Sequence, residues 1–256
     1  MEYEHFILEK QDNIRIVRIN RPPANAWNLS AVKEFETVID KLETENETRV
    51  IIITGAGEKN FSAGFDIKDA ENAPKTSLKG RSLWTRIDRF PKPVIAAING
   101  FALGGGLELA MSCHFRIMVD DPAVKVGLTE LNLGIIPGWG GTQRLPRLVG
   151  RARALDMILF SKKVTAKEAL SIGLVNEVSP PGSLMDHALD FARRLAERPP
   201  IAVSWVLKAI AAGAYEGLEQ GLEAEAEGTA MVRETKDRTE GFKAFLEKRA
   251  PVFKGE

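Results

Sequence analysis

VIAAINGFALGGGLELAMSC (94–113) and VGLTELNLGIIPGWGGTQR (126–144) are the two halves of the stretch around which the chain is organised. The first half has the order strand, glycine-rich turn, helix. Residues 94–98 are a short apolar run of buried-strand length, and Asn99-Gly100 punctuates it. Gly104, Gly105 and Gly106 let the backbone take conformations closed to other residues and let a ligand approach closely. Residues 107–113 then read as the first turns of a buried helix. Backbone N–H groups at such a turn have no partner within the helix and point outward, so a developing oxyanion could sit there.

Glu108 falls in the first turn of that helix. One reading is general: acids favour helix N-termini, by roughly 0.3–1 kcal/mol. The other is functional. Glu108 is flanked by Leu107, Leu109, Ala110 and Met111, and an unpaired carboxylate is expensive to bury there. Glu130 lies 22 positions on, again among apolar neighbours; it reads either as a solvated turn residue or as a second functional acid. Two acids in apolar settings beside glycine turns suit general acid–base work with an anion-stabilising backbone. Their spacing in sequence does not establish that they meet in space.

The whole chain has 256 residues, enough for one large domain or a domain with a smaller appendage. Its formal net charge is zero, which removes the electrostatic case for nucleic acid or an anionic membrane surface as a partner. A single cysteine, Cys113, leaves no internal disulfide and fits a reducing compartment. Its apolar setting points to a buried structural thiol rather than a nucleophile. The start, MEYEHFILEKQDN, has no apolar core of signal-peptide length, and no apolar run approaches the roughly 20 residues of a membrane helix. The expectation is a soluble cytoplasmic protein.

Taken in order, residues 14–19 (IRIVRI) read as a strand ended by Pro22 and Pro23. Ser30 is a plausible helix N-cap, followed by Val32, Phe35, Ile39 and Leu42 at helical spacing. Residues 50–54 (VIIIT) form a second buried strand, and the strand, helix, strand order argues for parallel pairing. In FSAGFDIKD (61–69), Gly64 allows close approach and Phe65 supplies an N–H; an ordinary loop is the competing reading. Residues 70–82 are polar and read as a loop, with a short helix at 84–90. Residues 115–119 and 124–126 read as strands, and a glycine turn at 137–141 leads into a helix from Thr142. Thr165 to Glu168 matches a capping box, with Gly173 as the helix's left-handed stop; residues 175–178 can be a further strand. From Leu184 the pattern is helical, and Leu184, Ala188, Ala192 and Leu195 share a face. Residues 201–214 are strongly apolar, 218–234 amphipathic, and Asp237 to Glu240 gives another cap before Phe242, Phe245 and Leu246. No internal repeat is visible. A change near residue 196 separates an α/β part, 1–195, from a helical part, 196–256, whose apolar faces are expected to pack on the core or a neighbouring subunit.

Five blocks, NRPPANAWN (20–28), FSAGFDIKD (61–69), AAINGFALGGGLELAMSC (96–113), GLTELNLGIIPGWGGTQRLPRLVG (127–150) and FKAFLEKRAPVFKG (242–255), stand in one order along nearly the whole chain. With them the chain resembles the crotonase superfamily, and most closely its enoyl-CoA hydratases. The resemblance implies an α/β fold with a spiral core of ββα units and a C-terminal helical trimerisation region, giving a homotrimer or a dimer of trimers. It implies an acyl-CoA substrate, with coenzyme A as part of that substrate and no separate cofactor or metal. The thioester oxygen would accept hydrogen bonds from the N–H groups of Phe65 and Gly105. Glu108 and Glu130 would hold the attacking water, Glu108 as base and Glu130 as proton donor to Cα, with the Gly138 N–H orienting the water. Ala24, Ala26, Ala63, Phe65, Asp66, Ile67, Lys68, Gly105 and Trp139 would line the acyl-CoA. Phe245 and Lys248 would approach the CoA of a neighbouring subunit.

The chain departs from the usual pattern at Trp27, Phe65, His114, Leu128, Thr129 and Trp139, which bears on the acyl pocket. Trp139 would either restrict that pocket to short or compact acyl groups or turn into the core. His5, His114 and His187 lack metal-ligand spacing and read as surface or capping residues. Double-bond isomerisation and hydration of a cyclic dienoyl-CoA are the alternative reactions; isomerases commonly keep one of the two acids. A non-catalytic RNA-binding protein on this scaffold is disfavoured by the neutral charge and the intact pair of acids.

Overall fold

The computed structural model describes residues 3–256; Met1 and Glu2, part of the start read as carrying no leader, lie outside the described residues. Strand β1 (Phe6–Gln11) pairs antiparallel with β2 (Ile14–Ile19) through a tight turn at Asp12 and Asn13. The sequence reading passed over β1. Its sequence, FILEKQ, does not alternate: three apolar residues precede three polar ones, and only Phe6 is buried, as on an edge strand. Helix α1 (Leu29–Thr44) buries Val32, Phe35, Ile39 and Leu42 as expected. Its N-cap is Asn28, not Ser30: the Asn28 side chain accepts from the Ala31 N–H at 2.8 Å.

Three turns of a coil follow. The first is β3 (Val50–Gly55), β4 (Asn60–Ser62) and α2 (Ala73–Asp88). The second is β5 (Val94–Ile98), β6 (Phe101–Leu103) and α3 (Gly105–Ser112). The third is β7 (Phe115–Val119), β8 (Val126–Gly127) and α4 (Gly141–Val149). Within each turn the first strand joins a large sheet and the second a small one. The large sheet runs β1-β2-β3-β5-β7 and is closed by β9 (Glu177–Ser179); all its pairs after the first are parallel. The small sheet runs β4-β6-β8, also parallel. This is the expected spiral of ββα units. Its repeat is geometric and leaves no trace as a repeated sequence.

Residues 70–82, read as a loop, are corrected by α2, which continues through the segment expected as a short helix at 84–90. The buried face of α2 is Thr76, Gly80, Leu83, Trp84 and Ile87, so its first half faces the core with small residues and lacks an apolar stripe. Helix α5 (Arg151–Leu159) was not foreseen. Helix α6 (Ala166–Ser171) carries the predicted capping box on Thr165 and Glu168, and α7 (Leu184–Ala196) buries Leu184, Ala188 and Ala192. Helices α8 (Pro200–Tyr215), α9 (Leu218–Arg233) and α10 (Lys236–Glu247) form the tail. Thr235 caps α10, in place of the expected cap at Asp237. Arg49 ties the tail to β3's start, donating to the carbonyls of Ala196 and Phe253, each at 2.9 Å.

The core lies between the sheets and the helices. β3 and β5 are buried along their whole length. An aromatic cluster joins Trp27, Phe35, Trp84 and Trp139, with Trp84 edge-on to Trp27 and to Trp139. No helix among the described residues is long and apolar enough to cross a membrane.

Candidate active site

The ends of the small sheet's strands meet at one place. β4 leads to Gly64 and Phe65, β6 to Gly104 and Gly105, and β8 to Glu130. Gly64 has φ +86, and a Cβ there would lie 2.7 Å from the Leu103 carbonyl and 2.8 Å from the Gly105 nitrogen. Only a glycine admits both this φ and this approach. It places the N–H of Phe65 beside that of Gly105, and neither donates to an acceptor among the described residues. Two bonds fix the turn from behind: Trp84 Nε1 donates to the Gly105 carbonyl at 3.0 Å, and the Gly104 N–H to the Gly127 carbonyl at 3.0 Å.

Glu108 is 2% exposed, one turn into α3. Its Oε1 accepts from the Trp139 N–H at 2.8 Å and the Gly141 N–H at 2.7 Å. Oε2 is left free to carry a proton. Burial pushes this carboxyl up to about 7, and the charge of Glu130 adds to that; the two N–H bonds and the Arg144 guanidinium pull the other way. Glu130 is 9% exposed, in the short 3-10 turn Glu130–Leu133; it has no ion pair among the described residues, and the N–H groups of Thr129 and Glu130 lie beside its carboxyl. Its carboxyl rests on Gly104, whose added Cβ would meet Oε1 at 3.0 Å. Its Oε2 is buried without a partner, and burial raises its affinity for a proton as well. The two acids, 22 residues apart in sequence, thus face one turn. Both are easier to protonate than ordinary carboxyls, chiefly because burial disfavours the charged form.

The remaining expected residues fall at several distances from this centre. Gly138 is exposed, and its N–H has no acceptor among the described residues; the N–H groups that reach Glu108 are those of Trp139 and Gly141. Ala24 and Ala63 are joined by a backbone bond of 3.0 Å, and Ala26 is held by Arg21, which donates to its carbonyl at 3.1 Å. The Asp66 carboxylate pairs with Arg21 at 2.7 Å and caps the Lys68 N–H at 3.1 Å, so its side chain is occupied within the loop. Ile67 and Lys68 are exposed beside it. Trp139 is 3% exposed, and its indole packs on the same glycine turn that carries the Gly105 N–H. Its ring lies against Gly105 and Gly80, where an added Cβ would fall 2.6 and 2.9 Å from the indole. Phe245, 83% exposed, and Lys248 lie at the far end of α10, without a hydrogen bond or ion pair to these residues.

Sequence reasoning missed Gly80, because residues 70–82 were read as a loop, missed a role for Trp84, which was placed only at the start of a short helix, and missed Arg144, because nothing local marks a buried guanidinium. His114 accepts from the Val94 N–H at 2.9 Å, and burial holds it down to about 4, a neutral capping role. His187 pairs with Glu177 at 2.5 Å, whereas His5 is buried rather than at the surface. Cys113 is free and buried, its thiol pushed up to about 12 by burial, as suits a structural residue.

Residues 9–256 match the family described as enoyl-CoA hydratase/isomerase. The chain belongs to the enoyl-CoA hydratase/isomerase family. It is 42% identical to a short-chain-enoyl-CoA hydratase of Clostridium acetobutylicum, over 97% of each chain. It is 40% identical to a crotonyl-CoA hydratase of Syntrophomonas wolfei, over 99% of each. Among solved structures it is similar to an enoyl-CoA hydratase from Bacillus anthracis, with TM-score 0.94 and 40% identity, covering 99% of this chain and 100% of that one. Membership in the enoyl-CoA hydratase/isomerase family agrees with the coil of ββα units and with the tail that follows it.

Proposed function

We propose that the chain is an enoyl-CoA hydratase, adding water reversibly across the 2,3 double bond of an enoyl-CoA thioester to give a 3-hydroxyacyl-CoA. The observation that carries this reading is the convergence of two buried, proton-retaining carboxyls on a turn with two unpaired N–H groups.

The thioester oxygen accepts from Phe65 and Gly105. Glu108 Oε2 takes a proton from water while the water oxygen bonds to C3. The π electrons move toward the carbonyl, and the enolate oxygen is held by the two N–H groups, which bind it more strongly than the ground-state carbonyl. Glu130 gives its proton to C2. The pair has then passed one proton from Glu130 to Glu108, and the reverse exchange through solvent resets it. The free N–H of Gly138 is the proposed contact for the water. Nothing in this sequence of steps requires a metal or a separate cofactor.

Ala24, Ala26, Ala63 and the 65–68 loop form the proposed CoA edge. Trp139, filling the space between Gly80 and Gly105, closes the acyl end and favours short acyl groups, a preference in keeping with the names of the two relatives. Residues 1–195 are the proposed catalytic part and 196–256 the proposed oligomerisation part. In a homotrimer or dimer of trimers, Phe245 and Lys248 approach a neighbour's CoA. The single cysteine supports a cytoplasmic setting.

The test is a panel of 2-enoyl-CoAs, short linear, long linear and cyclic unsaturated, followed by loss of the enoyl absorbance and by mass. Water addition to the short linear members is expected. Migration of a double bond without a gain in mass would overturn the reading.

A further inference from the structure

Arg144 sits on α4, just after the two N–H groups that hold Glu108, and is 7% exposed. Its Nη1 donates to the Trp139 carbonyl at 2.9 Å, and its Nε to Asp88 Oδ2 at 2.9 Å. Asp88 is the last residue of α2, and the same oxygen accepts from the hydroxyl of Tyr215, the last residue of α8. Trp139 thus holds Glu108 with its N–H and is held by Arg144 through its carbonyl. Gly140 makes the clamp possible. Its φ is +110, and any Cβ there would collide with Arg144 Nη1.

We propose that Arg144 is a positioning residue for Glu108: it clamps the turn at residues 139–141 to the end of α2, so that both N–H groups stay aimed at Glu108 Oε1 and Oε2 stays aimed at the water. A turn with glycine at 138, 140 and 141 has many backbone conformations open to it, and a planar guanidinium bonding two fixed acceptors selects one. Asp88 and Tyr215 extend the clamp to the tail. The inference rests on the reading of Glu108 as the base. The charged groups facing Glu108 are Glu130 and Arg144. Those around Arg144 are Asp88, Tyr215 with Arg89 and Arg147 over its ring, and the buried Cys113; Asp88 also faces His114.

The experiment is the pH profile of kcat and KM for hydration of a four-carbon 2-enoyl-CoA by wild type, Arg144→Met, Arg144→Lys and Glu108→Gln. Arg144→Met is expected to lower kcat by about ten- to a hundredfold, the scale of a small misplacement of a reacting group, with KM nearly unchanged. The base works ionised, so activity falls as pH drops through its pKa. Loss of a neighbouring cation raises that pKa, and the acidic limb moves to higher pH. Arg144→Lys keeps the charge and restores the limb, but its single ammonium cannot reproduce the fork, so kcat stays low. An unmoved limb in Arg144→Met, with kcat reduced only in proportion to the folded fraction, overturns the proposal. Should Arg144→Met not fold, wild-type kcat in Arg144→Lys overturns it. Glu108→Gln separates the two readings: if that variant remains active the base assignment itself fails, whereas an inactive Glu108→Gln beside an unmoved Arg144→Met limb sinks only the positioning role.

Discussion

Glu108 is ionisable, almost fully enclosed and held by two N–H groups that a neutral amide oxygen could equally satisfy. The glutamate therefore carries an energetic burden that glutamine would not. Its carboxyl titrates at about 7 in the fold against an ordinary 4.5. The folded state holds the proton more tightly, so this contribution to stability is fully present below about 4.5 and is lost as pH rises through about 7. A displacement of that size corresponds to about 3 kcal/mol at most. Glu108→Gln is expected to lose about 10²–10⁴ in kcat while melting higher than wild type at about pH 8. The difference should shrink toward about pH 5, because linkage vanishes below both pKa values. Thermal unfolding of the two proteins at both pH values checks this; equal gains at the two would exclude the buried charge as the cause. Trp139→Ala tests the other residue-scale expectation. Removing a packed indole costs roughly 3–5 kcal/mol, and the space opened between Gly80 and Gly105 should raise the long-chain to four-carbon ratio of kcat/KM by about tenfold. A lower melting temperature with an unchanged ratio would make Trp139 a core residue alone.

At the scale of elements, the turn that brings the two N–H groups together depends on Gly64. Gly64→Ala is expected to abolish turnover and destabilise the fold, since its Cβ would press on both Leu103 and the Gly105 nitrogen at a φ of +86. Near-normal kcat in that variant would remove the 64–65 turn from the site. The elements that were legible in the sequence share a physical reason. β5 is apolar throughout, β2 and β7 are β-branched or apolar apart from Arg15, Arg18 and Arg116, and the predicted limits of all three agree with the structure. The capping box at Thr165 needs only local bonds and was equally readable. α2 was not, because what faces the core over its first half is Thr76 and Gly80, and Gly80 is small for the sake of a tryptophan 59 positions away in sequence. The caps Asn28 and Thr235 each lie two residues before those expected, as several polar residues compete at each start. In the site, the two acids and the glycines could be named from their apolar settings and the family likeness. Their meeting, and the clamp through Arg144, depends on long-range pairing that no local pattern encodes.

For the whole molecule, the tail leaves large apolar side chains uncovered, among them Val206, Ile210, Phe242, Phe245 and Leu246. Light scattering of the full chain is expected to give a trimer or twice that mass; a monodisperse monomer would count against the proposed assembly. Truncation after Pro199 should give aggregated material, since it strips Arg49 of its Phe253 partner and uncovers the surface on which α8 rests.

The coil itself has a metric consequence. Phe65 and Gly105 are delivered by β4 and β6, adjacent strands of one parallel sheet, and adjacent strands lie about 4.8 Å apart. Donors at about that interval, each reaching about 2.9 Å to a common acceptor, would converge on it at an angle of about 110°. That is close to the angle between the lone pairs of an oxygen whose negative charge is growing. The aperture proposed to receive the thioester oxygen is therefore made of backbone carried by neighbouring strands, and a phenylalanine can stand at position 65 because its N–H does not depend on its side chain.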